Sequence, residues 1–348
     1  VESIMRANRT TPTLDDVAKM AGVSTATVSR CINTPALVVK TTRERVTRAI
    51  DKLGYTPNFG ARVMAAQRTF TIGAIIPTME NAIFARGLQA FQEGLHARGY
   101  TLLVSSTAYD PAMEEEQIRA LVARGADGLL LIGHARDPSI YKYLERQAVP
   151  TLIAWAYAPQ IDRPAIGFDN RAAMITLTRE VLARGHKRIA VISAPTDGND
   201  RAAERLAGVR DALRAHGLPE PDALDIIETP YGIESGVQAM TALMQRTPRP
   251  SVVMCGNDVL AAGALCAAKA LSLNVPGDVS VTGFDDLELA RIVTPALTTV
   301  HVPHREMGTK AATALVELVE GGSAGGATQL PVTLCLRASL GPAQPDPA

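Results

Sequence analysis

Two arginines four residues apart, Arg201 and Arg205, are the side chains of this chain best suited to hold a small anion. On a helix that spacing puts them on one face. A guanidinium is a rigid, permanently charged fork that grips carboxylates and sugar hydroxyls. Two of them converging would suit an acid; a salt bridge is the plainer alternative for Arg205. A second set lies near the N-terminus, where Thr25, Ala26, Ser29 and Arg30 fall together. Thr25 could hydrogen-bond a base edge, Ala26 could meet a thymine methyl, and Ser29 could do either. Arg30 could reach a base or a phosphate, and phosphate is the better fit. Enzymatic constellations are missing: there is no GxSxG elbow, P-loop or GxGxxG turn. The acidic phrases EEE and GFDD lack partners at metal-ligand spacing. No catalytic residue, cofactor or metal is expected.

The DNA-reading set needs a small helical head to present it, and the sequence supplies one. Thr13-Leu14-Asp15-Asp16 has the form of a capping box, so a helix should start near Leu14 and end at Gly22. Ser24 can cap the next helix, TATVSRCIN. Ala18 is small where two helices cross, Gly22 turns the chain, and Val28 and Cys31 face inward, which is helix-turn-helix spacing. Thr25, Ala26, Ser29 and Arg30 are left outside, with Thr25 and Ala26 at the end such helices push toward bases. A second capping box, Thr41-Thr42-Arg43-Glu44, should open a third helix with Val46, Ala49, Ile50 and Leu53 on its apolar face. Arg43, Arg45 and Arg48 can track phosphates or be solvated, and Asn33 and the loop through Pro35 run near the backbone. Residues 1–68 carry 11 Lys and Arg against 5 Asp and Glu, while the rest carry 24 against 30. A basic module before an acidic body suits a polyanion at one end only. A three-helix domain that binds no DNA is the bland alternative. The stretch from Tyr55 through Asn58, Arg62 and Met64 is too short to be a stable helix in water. Either it is a plain linker, or DNA orders it and Met64 acts as a minor-groove wedge.

The arginine pair needs a body with a cleft. From Phe70 short apolar strands (TIGAIIP, YTLLVSS, DGLLLIG, PTLIAWA) alternate with amphipathic helices. The rhythm restarts after Gly167-Phe168-Asp169-Asn170 with RIAVISA, a strand near Ile226, SVVMCG and VSVTGFD. This is a repeated βα unit with buried parallel strands. The expected fold is an all-α helix-turn-helix head followed by an α/β body of two similar Rossmann-like lobes. Ligands in such sheets bind beyond the C-terminal strand ends. That nominates Thr78–Phe84, Gly133-His134, Trp155, Asp197–Arg205, Tyr231, Asn257-Asp258 and Phe284-Asp285. Phe84 and Tyr231 could close the apolar sides, although Phe84 also suits a buried helix face. Trp155, the only tryptophan, is equally a stacking platform and a core residue. His134 could bind an anion or do nothing. Asn257 and Asp258 suit a helix cap nearly as well as a ligand contact, and a cap is the lesser alternative for Asp285.

The stretches LDDVAKMAGVSTATVSRCIN, YTPNFGARVMA and TIGAIIP resemble the LacI/GalR family of bacterial transcription repressors, and the likeness runs from Thr13 to near Leu340. It implies a recognition helix in the major groove, hinge helices in the minor groove, and a periplasmic-binding-protein-like body that dimerises. The usual hinge wedge is leucine; here it is Met64, unbranched and soft enough to intercalate. The resemblance makes Arg205 of Arg205-Leu-Ala-Gly208 a ligand anchor, Asp285 an acceptor for ligand hydroxyls or ring nitrogens, and Asn257 a polar contact. The purine repressor of the family is similar in several stretches. It carries an arginine where this chain has Asn199, and its aspartate–tryptophan pair is altered near Trp155. PTMENAIFARGLQ, YDPAMEEEQI, AIGFDN and RGHKRIA look more like gluconate repressors, so a sugar acid is the expected effector, with a neutral sugar or a purine as alternatives. A solute-binding module without DNA function is the alternative from another class.

The expected division is a DNA-binding domain over 1–57, a hinge over 58–69 and an effector-binding and dimerisation body over 70–348. Within the body an N-lobe covers about 70–168 plus 300–328 and a C-lobe about 169–299 plus 329–342. The partners expected are near-palindromic duplex DNA, a small effector and a second copy of the chain. No apolar run reaches membrane-span length, no signal-peptide stretch opens the chain, and the tail lacks the heptads of a tetramerising coil. Cys31, Cys255, Cys266 and Cys335 show no CxxC spacing and read as reduced core residues. A bacterial cytoplasm is the expected location.

Overall fold

The computed structural model describes residues 12–56, 68–80, 82–218, 223–323 and 325–344. Asn58, Arg62 and Met64 lie outside them. The chain divides into two compact units, residues 1–69 and 70–348.

In the first unit three helices surround a small core of Val17, Ala18, Ala21, Val28, Cys31, Val46, Ala49 and Tyr55. Helix α1 (Leu14–Ala21) starts at a complete capping box: Thr13 accepts from the Asp16 amide, and the Asp16 carboxylate accepts from the Thr13 amide. It ends at Gly22, whose φ of 64° is the left-handed cap that glycine adopts without a Cβ penalty. Ser24 caps α2 (Thr25–Asn33) by accepting from the Thr27 amide. The second capping box does not form. Helix α3 (Lys40–Leu53) starts earlier, from Val39, and no side chain caps it. The one-turn helix Pro35–Leu37 delivers the chain already aimed into α3, so Thr41 falls inside the first turn, where it cannot act as a cap.

The second unit is built on two parallel sheets of like winding. In the N-lobe β1 (Thr71–Ile76), β2 (Thr101–Ser106), β3 (Gly128–Ile132), β4 (Thr151–Ala154), β5 (Ala165–Gly167) and β11 (Ala327–Gln329) run in the order β11-β5-β4-β3-β1-β2. In the C-lobe β6 (Ile189–Ser193), β7 (Leu224–Glu228), β8 (Val252–Cys255) and β9 (Ser280–Thr282) run in the order β7-β6-β8-β9. Strands β1, β3, β6 and β8 are fully buried, as strands covered on both faces must be. Helices α4 (Ala85–His96), α5 (Pro111–Ala123) and α6 (Pro138–Arg146) follow strands of the first lobe. Helices α7 (Asn170–Ala183), α8 (Asp200–Ala215), α9 (Ile233–Met244) and α10 (Asp258–Ala270) belong to the second, with the short α11 (Leu289–Ile292) after them.

The chain passes between lobes three times. The first passage is near Phe168. The others are β10 (Thr299–His301) and β12 (Thr333–Cys335), which pair antiparallel. Between them α12 (His304–Val319) returns to the N-lobe and packs along α4. The expected strands are all present, and α8 begins at Asp200. Asn199 caps it by accepting from the Ala202 amide. The cysteines are all free, yet only Cys31 and Cys255 are buried. Cys266 is exposed on α10 and Cys335 is half-exposed on β12, which corrects the reading of all four as core.

Candidate functional site

On the head, helix α2 turns Val28 and Cys31 inward. Thr25, Ala26 and Arg30 are exposed and Ser29 is half-exposed. The Ser24 cap orders the first turn of α2 through the Thr27 amide and hydroxyl, using none of these side chains. Asn33 closes the helix. Arg43 is half-buried, and its guanidinium donates to the Pro35 carbonyl at 3.3 Å. This bond fixes the turn between α2 and α3, so Arg43 serves the turn before it can serve a phosphate.

In the body, a pocket lies between the lobes at the C-terminal strand ends. Its walls are Ile83 and Phe84 after β1, Tyr109 after β2, Trp155 after β4, Phe168 after β5, Asn199, Arg201 and Arg205 after β6, Tyr231 after β7, Asn257 after β8 and Asp285 after β9. The pocket and its mouth enclose about 360 Å³.

Arg205 is the centre of the polar wall. It donates to Asn170 Oδ1 at 2.8 Å and to the Tyr231 hydroxyl at 2.7 Å, and its guanidinium lies 4.9 Å from the Phe284 ring centroid. Asn170 is itself held, its amide donating to the Trp155 and Phe168 carbonyls. That arrangement leaves the Arg205 Nε–H buried and without a partner. The same is true of two amide groups, Asn199 Nδ2 and Asn257 Nδ2. Each of these asparagines spends its oxygen capping a helix, Asn199 toward Ala202 and Asn257 toward Leu260. Capping and pocket-lining thus occur in the same side chain, two roles that the sequence posed as alternatives for Asn257.

Asp285 is 5% exposed, and burial pushes its carboxyl well above the ordinary range, with Arg205 opposing and Asp258 adding to the shift. Its φ of 105° departs far from ordinary backbone. Neighbouring Asp286 instead gathers Arg291, Arg337 and His301, which hold its carboxyl below the usual value despite burial.

The apolar wall is aromatic. Trp155 is 3% exposed, meets Phe84 edge-on at 5.4 Å, and has a φ of 61°. It is at once a core residue and a wall of the pocket. Tyr109 and Tyr231 meet across the lobes with centroids 5.8 Å apart, and burial pushes the Tyr109 hydroxyl up.

Two nominated residues behave otherwise than the sequence suggested. His134 does not line the pocket. Its backbone amide donates to Asp200 Oδ2, and both ring nitrogens are buried without partners. Burial pushes its imidazole below the ordinary value. Arg201 lines the pocket but does not converge with Arg205 on one point: its Nη1 donates to the Ile132 carbonyl at 3.0 Å and to Asp200 Oδ1 at 3.1 Å. The end of β3, alone among β1–β9 in giving the pocket nothing, is instead clasped by Asp200 and Arg201 from the other lobe. Gly133 is required there, because a Cβ would run into both side chains and its φ is 73°.

Ile83 falls in the Thr78–Phe84 stretch expected at the pocket, whereas Tyr109, Phe168 and Asn170 were not anticipated. Tyr109 and Phe168 follow strand ends and obey the rule that found the others; Asn170 follows Phe168 within the same turn. Among the described residues no group of three His, Cys, Asp or Glu could hold a metal ion, and no helix is long and apolar enough to cross a membrane.

A helix-turn-helix head joined to a two-lobed body with a polar pocket between the lobes defines a DNA-binding regulator that carries a ligand-binding domain. Residues 13–58 match the model of bacterial regulatory proteins of the lacI family, and residues 178–340 match the periplasmic binding protein-like domain. The chain is 35% identical over 310 residues to the transcriptional repressor PurR of Salmonella newport, covering 88% of this chain and 90% of that one. Among solved structures it resembles the transcription regulator GntR of Chromobacterium violaceum, with 31% identity, a TM-score of 0.73, and 78% and 99% of the two chains covered. It also resembles the Lac repressor dimer bound to operator and an anti-inducer, with 27% identity, a TM-score of 0.84, and 95% and 99% covered. The chain belongs to the LacI family of bacterial transcriptional regulators.

Proposed function

We propose that this protein is an operator-binding repressor whose DNA affinity is switched by a sugar acid such as gluconate, bound between the lobes. The observation that carries the ligand class is the set of three buried donors without partners, Arg205 Nε, Asn199 Nδ2 and Asn257 Nδ2, around one small pocket. An unpaired buried donor costs about 1–3 kcal/mol, so a ligand that supplies acceptors is favoured three times over. A polyhydroxy carboxylate supplies them: its carboxylate fits Arg205, its hydroxyl oxygens fit the two amides, and its hydroxyl protons fit Asp285. Phe84, Trp155 and Tyr231 give the carbon chain its apolar walls. Arg201 serves closure as well as the ligand, and His134 acts through its backbone.

At the head, Thr25, Ala26 and Ser29 read base edges, while Arg30, Asn33 and Arg43 meet the phosphate backbone. Asn58, Arg62 and Met64 of the hinge complete the contact in the minor groove. A homodimer on a near-palindrome doubles the base pairs read, and the crystallised Lac repressor is a dimer on its operator. The ligand acts by biasing two lobe arrangements, which requires that it bind one better than the other.

The test is isothermal titration of the full chain with gluconate and related sugar acids beside ribose, galactose and hypoxanthine, repeated with Arg205→Ala. Micromolar binding of an acid that vanishes in the variant supports the reading. Binding of hypoxanthine or a neutral sugar alone overturns the ligand class and leaves the regulator intact.

A further inference from the structure

His304 lies outside the pocket wall but touches both sides of it. It is the first residue of α12, immediately after the β10 passage between lobes, and is 5% exposed. The Trp155 indole Nε1–H donates to His304 Nδ1 at 3.1 Å. An indole nitrogen is a donor only, so Nδ1 must carry the lone pair and the imidazole is neutral with its proton on Nε2. That Nε2–H is buried and makes no well-aligned hydrogen bond, although the Asp285 backbone carbonyl faces the ring. Nε2 stands 3.8 Å from Asp285 Oδ1 on the opposite lobe, roughly 0.6 Å beyond hydrogen-bond reach.

The Trp155 side of this arrangement is tightly fixed. Phe84 abuts the indole, and Gly87 of α4 has no side chain because a Cβ there would enter the indole ring. The Asp285 side belongs to the C-lobe and moves with it. A buried N–H held short of a buried carboxyl is a costly arrangement unless another state of the molecule uses it.

We propose that His304 is a positioning residue that couples the two walls of the effector pocket: it holds Trp155 through Nδ1 and donates from Nε2 to Asp285 once the effector is seated. This rests on the proposed reading of the pocket as an effector site contacting Asp285. The groups facing the imidazole are Asp285 from the loop after β9, His301 from β10 and Arg86 from α4. Burial comes first among the influences on it and pushes its pKa down to about 4, which keeps it neutral at physiological pH.

Trp155 is the only tryptophan, so the full chain gives one indole N–H resonance, and the first arm of the test needs no ligand. In His304→Phe that resonance should move upfield and exchange faster with solvent, and in His304→Gln, whose amide oxygen can accept, it should return toward its original place. An unmoved resonance in His304→Phe overturns the proposal. The second arm titrates gluconate into wild type, His304→Phe, Asp285→Asn and the double variant. Coupling requires that the double variant lose about tenfold less affinity than the two single losses multiplied together. Losses that simply multiply overturn the coupling even where the indole result holds. A wild-type chain that binds no acid sinks the sugar-acid reading, and His304 then stands or falls on the indole resonance.

Discussion

Breaking the clasp between Asp200-Arg201 and the end of β3 should open the body in the absence of any ligand. Two charge-assisted hydrogen bonds cross the lobes there, Arg201 Nη1 to the Ile132 carbonyl and the His134 amide to Asp200 Oδ2. Arg201 is 8% exposed, so water competes poorly for it in the closed form. Arg136 strengthens the anchor from the N-lobe side, since it also donates to the Ile132 and Gly133 carbonyls and pairs with Glu114. At about 1.5 kcal/mol apiece, the low end for bonds to charged groups, the two bonds favour closure by about 3 kcal/mol. That is a ratio on the order of 150-fold. The perturbation is Asp200→Ala with Arg201→Met, which keeps much of the apolar stem while removing both charges. The assay is a distance measurement between spin labels placed at Ser139 on α6 and Gln238 on α9, with exposed Cys266 and half-exposed Cys335 replaced by serine. The wild type should give one short distance and the double variant a longer, broader distribution. Effector affinity should fall with the closed population, since a ligand that binds the closed form must restore it first. Superposable distance distributions in a folded double variant would refute the reasoning, and would mean that apolar contacts such as Phe168 against Phe284 hold the lobes together.

The site and the head each carry further expectations. Arg205→Lys keeps the charge but cannot reach Asn170, Tyr231 and the ligand with one fork; gluconate affinity should fall by about 2–3 kcal/mol, roughly 30–150-fold, and a titration within threefold of wild type would show that charge alone suffices. Asp258→Asn should flatten the pH dependence of stability. Burial raises the Asp258 carboxyl to about 7, so the native state holds its proton longer than the unfolded state, and stability is lost as pH rises from about 4 through 7, by about 4 kcal/mol. Because Asp285 contributes in the same direction and His304 in the opposite one, the measurement is the difference between wild-type and variant urea midpoints at pH 5 and pH 8; equal pH slopes would exclude the effect. Arg30→Ala should weaken operator binding across sequences alike and reduce the salt slope by about one. A change confined to one base position would make Arg30 a base reader.

The fold was legible because its signals are local and repeated. Apolar strand runs, Gly22 and the Thr13–Asp16 box each act over a few residues, and all formed as read. The Thr41–Glu44 box failed for a reason that lies outside its own four residues: the Pro35–Leu37 turn sets where α3 begins. Pocket residues were legible through one topological rule, that ligands meet strand ends, and the misses trace to how it was applied. Tyr109 and Phe168 follow strands the rule covers but that were not used. His134 obeys the rule, yet its loop is turned against the other lobe by Asp200 and Arg201. His304 obeys no such rule, for it opens a helix and reaches Trp155 across 149 residues.

Effector chemistry is harder to read than fold because far fewer atoms determine it. The lobes are held by dozens of buried apolar side chains, many of which tolerate a substitution of similar volume. The pocket presents three open donors, each worth about 1–3 kcal/mol, and exchanging one of them changes which ligand is favoured without touching a strand. Asn199 illustrates the point. Its oxygen is committed to the cap of α8, which any short polar side chain can supply, so only the amide nitrogen is available to the ligand. An arginine at this position would bring a full positive charge where this chain offers a neutral donor. With Asn199 neutral and Arg201 partly committed to Ile132, Arg205 supplies the principal cationic contact in the wall, and on the proposed reading it meets the single carboxylate of the effector.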